Sequence, residues 1–300
     1  MILLWGLAQD PSLRAVRLRL DRWDADTFFL NHADIYCTEV SMSTEPHLSF
    51  ELVSGDESCR LEEVSAAYLR PYDYRKFPPS EFHQVHPSDP LMVHHLIAAW
   101  AEYTEAQVIS RPSAAATGQS YLYQAEAIRA SGFRTPDSLV TNDDAVASAF
   151  QSCHGGAATK TLTQAQTSLT SRHFDSPMLF QEEIAGEPIR VHVVGDECFG
   201  PMEIPGHVQR QAIGLARLLG LYLAGVNMTV SPRGEWYCTG VHPNPAFSSY
   251  PDGEDVAEAV ARFLMEAPEP AGVTKKTARP PLNGAGPMGR NYAVLREEVV

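Results

Sequence analysis

The chain has 300 residues, 44% hydrophobic and 20% charged, which is ordinary for a folded globular protein and excludes wholesale disorder. Acidic residues outnumber basic ones 37 to 23, a net charge of -14, so nucleic acid would be repelled over most of the surface. No apolar run approaches the ~20 residues needed to span a bilayer, and the start, Met1 to Leu7, lacks the basic leader of a secretory signal.

Five scattered cysteines (Cys37, Cys59, Cys153, Cys198, Cys238) form no CxxC pair, which argues against a structural zinc site or a disulfide framework and for a reducing cytoplasm. Only four of the 23 basic residues are lysine: Lys76, Lys160, Lys275 and Lys276.

Ile2 to Leu7 reads as a short buried strand. Pro11 fits the first turn of a helix carrying Leu13, Val16, Leu18 and Leu20, and Thr27 to Leu30 returns as a strand. Leu48 to Val53 and the run from Leu61 suggest a strand pair around the Ser54-Gly55-Asp56 turn. After Arg70-Pro71 comes a polar stretch through Pro90, then a helix carrying Val93, Leu96, Ile97 and Trp100. The strand Val108 to Ser110 closes an α/β unit over residues 1–111.

A second unit runs over 112–266. Ser120 is a helix cap with Gly132 just past the helix end, and Asn142 is the expected cap of a helix whose first turn holds Asp143 and Asp144. Strands are expected at Ser138 to Thr141, Ala157 to Leu162 and Met178 to Gln181. Ile189 to Val194 is expected to pair with Cys198 to Ile204 across Gly195-Asp196. A helix over Val208 to Leu219 precedes a hairpin of Leu221 to Val230 and Glu235 to Val241, and Glu254 to Met265 forms the last helix. From 267 to 300 prolines and glycines accumulate, the composition of a poorly ordered tail. His94-His95 and Cys153-His154 read as helix-surface or capping residues, since adjacent helical side chains diverge by about 100°.

Short motifs in a set order carry a resemblance. They are Arg70-Pro71, Arg111-Pro112, Tyr123-Gln124, Gly132-Phe133, Pro136 to Asp143, Lys160, Phe180-Gln181-Glu182, Ile189 to Gly195, Gly225-Val226 and Pro243-Asn244-Pro245. This order resembles the ATP-grasp superfamily, most closely the branch of the ribosomal-protein glutamate ligase and of ligases that modify ribosomal peptides. The resemblance implies a mixed α+β and α/β architecture, with a leading α/β domain and two α+β subdomains that clasp a nucleotide. It also implies amide formation from a carboxylate and an amine through an acyl phosphate, with ATP and Mg2+ as cofactors and an amino acid or peptide as substrate. Such chemistry asks the protein mainly for charge stabilisation.

By the same resemblance Lys160 contacts nucleotide phosphates, and the hinge of Gln181, Glu182, Glu183 and Ile184 meets the adenine edge. Arg190 faces the phosphates or the acyl phosphate, and His242 and Asn244 stand at the metal-binding positions. Each residue also has a plainer reading: a solvated strand-end lysine, surface acids at a strand exit, a structural ion pair for Arg190.

Departures from the family pattern are concentrated in the site. Tyr121 stands at a phosphate-binding lysine position, and the loop Thr163 to Thr167 lacks glycine. Asn227 replaces an aspartate, and the metal-binding Glu-Val-Asn-Pro pattern reads Gly240-Val241-His242-Pro243. Magnesium prefers hard oxygens, so these changes weaken its site, whereas a histidine suits zinc, iron or nickel; Glu203 on a neighbouring strand would supply one oxygen. Two functions follow: a peptide- or amino-acid-directed ligase, or a degenerate relative that binds a nucleotide, peptide or partner without ligation. Pairing with an active paralogue belongs to the second; a homodimer is open to either. A third, different chemistry at His242 and Asn244, stays open.

Overall fold

The computed structural model describes residues 1–45, 49–73, 89–161 and 177–268, without the side chains of 117–119, 158, 160 and 161. All of these lie in one unit, Met1–Pro270. Its first part runs β1 (Ile2–Gly6), α1 (Pro11–Arg22), β2 (Thr27–Asn31), β3 (Glu39–Ser43), β4 (Ser49–Ser54), β5 (Glu57–Arg60), β6 (Ala66–Arg70), α2 (Pro90–Tyr103) and β7 (Gln107–Ile109).

Strands β2-β1-β6-β7 form an all-parallel sheet, while β3-β4-β5 form a small antiparallel one. Parallel strands covered on both faces read as continuous apolar runs, and period-two alternation divides them between two cores. Leu3, Trp5, Ala67, Leu69 and Val108 join Val93, Ile97 and Trp100 of α2. Ile2, Leu4, Ala66, Tyr68 and Ile109 join Leu13, Val16 and Leu20 of α1.

The rest runs α3 (Pro112–Gln119), α4 (Tyr121–Ala130), β8 (Ser138–Thr141), α5 (Asp144–Cys153), β9 (Ala157–Thr161), β10 (Met178–Glu182), β11 (Glu187–Val194), β12 (Glu197–Phe199), α6 (Gly206–Leu218), β13 (Leu223–Val230), β14 (Trp236–His242) and α7 (Gly253–Met265). Antiparallel β8-β10-β9 packs Met178 and Phe180 against Ala147 and Phe150 of α5. Antiparallel β12-β11-β13-β14 buries Ile189, Val191, Val193, Ala224 and Val226 under Val208, Ala212 and Leu215 of α6.

The opposite face of that second sheet changes character along its length. Val194 and Leu223 join Val256, Val260 and Leu264 of α7 in the core that also holds Leu4 and Tyr68. Helix α7 therefore has apolar neighbours on both the parallel sheet and the antiparallel sheet. Each of its large buried side chains contributes roughly 1.5–3 kcal/mol. Farther along the same face stand Arg190 and Asn227, directly paired in register.

Several expected boundaries move. The run from Leu61 begins with a 3-10 turn, Leu61–Glu63, between β5 and β6, because the Glu62 carboxylate turns back to accept from Phe50 N–H. Asp143, not Asn142, caps α5, its Oδ1 accepting from Ala145 and Val146 N–H at 2.8 and 3.1 Å. Strand β12 stops at Phe199 rather than Ile204, because Pro201 cannot donate to a ladder, so Glu203 lies in the loop before α6, not on a strand. Helix α6 starts at Gly206, immediately after Pro205. The tail after 268, the loop Thr163 to Thr167 and most of the polar stretch before Pro90 lie outside the described residues.

One buried histidine sets an acid limit on this fold. His32 is fully buried, stacks on Trp5 at 5.2 Å and accepts at Nδ1 from Tyr72 N–H at 2.9 Å. Burial, and next the nearby His94, pull its pKa down to about 4. A depressed folded-state value means stability is intact above the unfolded value of 6.5 and is lost as pH falls towards 4, by up to about 3 kcal/mol. Urea unfolding between pH 7 and pH 4 should show this loss. His32→Asn, which keeps an acceptor for Tyr72, should flatten the slope; an unchanged slope would assign the loss to other groups.

Candidate functional site

The polar end of the second sheet meets the carboxyl end of the parallel sheet, the side where open α/β sheets place their ligands. Arg70 joins them. It ends β6, and its guanidinium is buried: Nε donates to Asp10 Oδ2 at 2.8 Å, and one terminal nitrogen donates to Tyr68 Oη at 3.0 Å, Asn244 Oδ1 at 2.5 Å and the Pro245 carbonyl at 3.1 Å. Burial pulls against its charge, but Tyr68 and Asp10 outweigh that and hold it above its ordinary value. Asp10 has a second task, because its Oδ1 caps α1 by accepting from Ser12 and Leu13 N–H at 2.9 and 3.0 Å.

The Pro243-Asn244-Pro245 turn is therefore docked by Arg70 and lies over β13. Gly225 permits this: a Cβ there would meet Pro245 Cβ at 2.9 Å and Arg190 Cδ at 3.4 Å. Beside it, Arg190 donates from Nε to Asn227 Oδ1 at 2.8 Å and sets its guanidinium 5.2 Å from the centre of the Tyr250 ring. No carboxylate pairs with Arg190 among the described residues. A half-buried guanidinium held by a neutral amide and a π face keeps its terminal donors for an anion.

In the next row His192, Gly225 and His242 are paired in register. His192 is fully buried, with Nδ1 2.8 Å from Asp252 Oδ2, just before α7. Burial lowers its pKa against the opposing pull of Asp252, and the charge of Arg190 lowers it further, so His192 is neutral with Nδ1–H donating to Asp252. This dyad was not legible in advance, because Asp252 is 60 residues away and sits in a polar turn.

Among the described residues, positions 227, 240, 242 and 244 do not make a magnesium site. Asn227 Oδ1 accepts from Arg190 and Asn244 Oδ1 from Arg70. Gly240 has no side chain, and its φ of 155° is one that other residues rarely adopt. That backbone belongs to an irregularity in the β13–β14 ladder beside Asn227 and Met228. Among the described residues, no group of three His, Cys, Asp or Glu ligand atoms includes His242. Nitrogen and neutral amide oxygens are a poor set for Mg2+.

On the smaller sheet, Lys160 of β9 pairs in register with Leu179 of β10; its side chain lies outside the described residues. Gln181 is buried, its Nε2 donating to Ser138 Oγ at 3.4 Å, and it lines a narrow recess with Tyr121, Gln124, Thr239 and Gly240. Glu182 N–H donates to the Asp137 carbonyl at 2.8 Å, so that amide is already taken; Ile184, two residues beyond, is half-buried. Gln124 pairs with the edge of β14 like a strand: Nε2 donates to the Val241 carbonyl and Oε1 accepts from Val241 N–H, both at 2.9 Å. Glu203 is exposed, and burial pushes the Cys59 and Cys198 thiols up to about 12, which removes them as nucleophiles.

No family model matches the sequence, nor does any curated protein. Solved structures do match. The macrocyclase MdnC of Microcystis aeruginosa MRC, bound with precursor peptide MdnA, superposes with a TM-score of 0.75 at 19% identity, covering 89% of this chain and 100% of the other. The chain has the ATP-grasp fold. A RiPP-associated ATP-grasp ligase of Chryseobacterium gregarium, in complex with ADP and a leader and core peptide, superposes at 0.74 with 16% identity, covering 89% and 98%. The ATP-grasp ligase PsnB, complexed with minimal precursor, Mg and ADP, superposes at 0.69 with 20% identity, covering 88% and 97%.

Because Arg70 is buried and shared by Asp10 and Asn244, Arg70→Met should cost about 3–5 kcal/mol in urea unfolding. Asp10→Asn, which keeps an oxygen for the cap but removes the ion pair, should cost clearly less. Equal losses would locate the contribution in the Arg70–Asp10 ion pair rather than in the contacts to Tyr68, Asn244 and Pro245.

Proposed function

We propose that the protein is an ATP-dependent carboxylate–amine ligase acting on a peptide in the cytoplasm. The observation that carries this reading is Arg190: a half-buried cation beside the docked Pro243–Pro245 turn, held by Asn227 and Tyr250 and paired with no carboxylate among the described residues. In this reading the backbone around Ile184 meets the adenine edge. Lys160 and Arg190 receive phosphate oxygens, and the ATP-grasp fold provides the two sheets that close on the nucleotide. A substrate carboxylate oxygen attacks the γ-phosphorus, releasing ADP and leaving an acyl phosphate. The amine then attacks the acyl carbon, and phosphate and a proton leave as the amide forms. Arg190 offsets the negative charge on the phosphoryl oxygens during both transfers. No step is assigned to a protein-bound magnesium ion, because the donors at 227, 240, 242 and 244 do not suit one.

That same donor set favours a second reading, in which the fold binds a nucleotide or a peptide and does not ligate. The peptide substrate is inferred from the structural neighbours, one bound with a precursor peptide and another with a leader and core peptide.

Calorimetric titration with ATP, with and without Mg2+, separates the readings. The ligase requires ATP binding that falls about 10- to 100-fold in Arg190→Ala, the loss of a charge-assisted hydrogen bond, and similarly in Lys160→Ala. It also requires ATP-dependent phosphate release on addition of peptide. Binding without phosphate release supports the second reading; no ATP binding overturns the first.

A further inference from the structure

His192 follows Arg190 by two residues on β11, so both side chains lie on the face of the sheet that meets α7. Its side chain is fully buried, that of Asp252 nearly so, and Nδ1–H donates to Asp252 Oδ2 at 2.8 Å. The other polar atom of each, His192 Nε2 and Asp252 Oδ1, is buried without a hydrogen-bond partner among the described residues. Apolar side chains of the same shape would fill this space without leaving two polar atoms unsatisfied, so stability alone does not account for the pair.

Asp252 gives up a second bond. It is the N-cap residue of α7, where a carboxylate ordinarily accepts from the first amides of the helix. Here the side chain caps nothing and turns to His192 instead.

What this bond holds is the short segment between the Pro243–Pro245 turn and α7. Tyr250 N–H donates to the Phe247 carbonyl and Gly253 N–H to the Tyr250 carbonyl, both at 2.9 Å, and Phe247 is fully buried. A Cβ on Gly253 would meet the Phe247 carbonyl oxygen at 2.6 Å. In so tight a turn Tyr250 and Asp252 move together. The Tyr250 ring touches two side chains of β11: its centre is 5.1 Å from that of the His192 ring, crossed at 76°, and 5.2 Å from the Arg190 guanidinium carbon. A closed circuit results, from β11 through His192 and Asp252 to Tyr250, and back to β11 at Arg190. Asn227 restrains the guanidinium at Nε, and the ring is its second restraint.

We propose that His192 and Asp252 are positioning residues for Arg190: their hydrogen bond anchors the Tyr250 ring to β11 and so sets the direction in which the guanidinium presents its terminal donors to a phosphate. Fully buried, His192 acts only through Tyr250 and touches no ligand. That the anion is a phosphate rests on the ligase reading; the placement of Arg190 does not.

The test uses the full chain carrying isotope-labelled arginine, with the Nε–H resonance of Arg190 assigned by its disappearance in Arg190→Lys. Asp252→Ala removes the bond while costing α7 no cap, and Asp252→Asn keeps an acceptor for Nδ1–H. The Arg190 resonance should shift and broaden in Asp252→Ala and return to its wild-type position in Asp252→Asn. Calorimetry should find ATP binding weakened about tenfold in the first, less than or equal to the loss in Arg190→Ala, and restored in the second. His192→Phe keeps a ring against Tyr250 without a donor; it should match Asp252→Ala, and it replaces that variant if circular dichroism shows it unfolded. An unmoved resonance in the variants lacking the bond would overturn the proposal. So would a resonance displaced equally in Asp252→Asn, which would make charge the cause, or a displaced resonance with ATP affinity unchanged. If the wild-type chain binds no ATP the ligase reading falls, and the resonance alone decides the positioning.

Discussion

A buried guanidinium with four partners cannot be placed until all four are in position. Arg70 imposes that condition here: the cap of α1, the end of β6 and the turn after β14 must converge, or a charge is left in the interior without compensation. The condition propagates. With the Pro243–Pro245 turn docked, residue 225 must be glycine, and with Gly225 beside it the stem of Arg190 has room to run along β13 towards Asn227 and Tyr250. The orientation of Arg190 is thus set from a strand more than 100 residues earlier.

Helix α7 makes the same connection through apolar contact. Its buried side chains share one core with Leu4 and Tyr68 on the parallel sheet and with Val194 and Leu223 on the antiparallel one. Arg70 and α7 divide the work between them. The helix supplies hydrophobic area without direction, and the guanidinium supplies the register of the joint, because only one arrangement satisfies its donors.

Much of this was legible from local pattern. Apolar runs and their turns located β1, α1, β2 and α7, and the order of short motifs pointed to the ATP-grasp fold that the structural neighbours share. What could not be read were relations between distant residues. Asn244 looks like a metal ligand from its motif, yet its oxygen is held by Arg70, 174 residues away. Glu203 looked like a strand residue because the apolar alternation continues past Phe199, but proline ends the ladder there. Asp143 competed with Asn142 for the cap of α5, and the carboxylate, which also favours the positive end of the helix, holds it. A phosphate-facing role for Lys160 is read from its motif; its register places it opposite Leu179.

The geometry of Gly240 bears on what this position can accept. Its φ of 155° is shared with the ladder irregularity opposite Asn227, so the position is a feature of two strands and not of one codon. A side chain placed there must strain the backbone or move the strand, so a carboxylate at 240 comes only with a change in how β14 lies against β13.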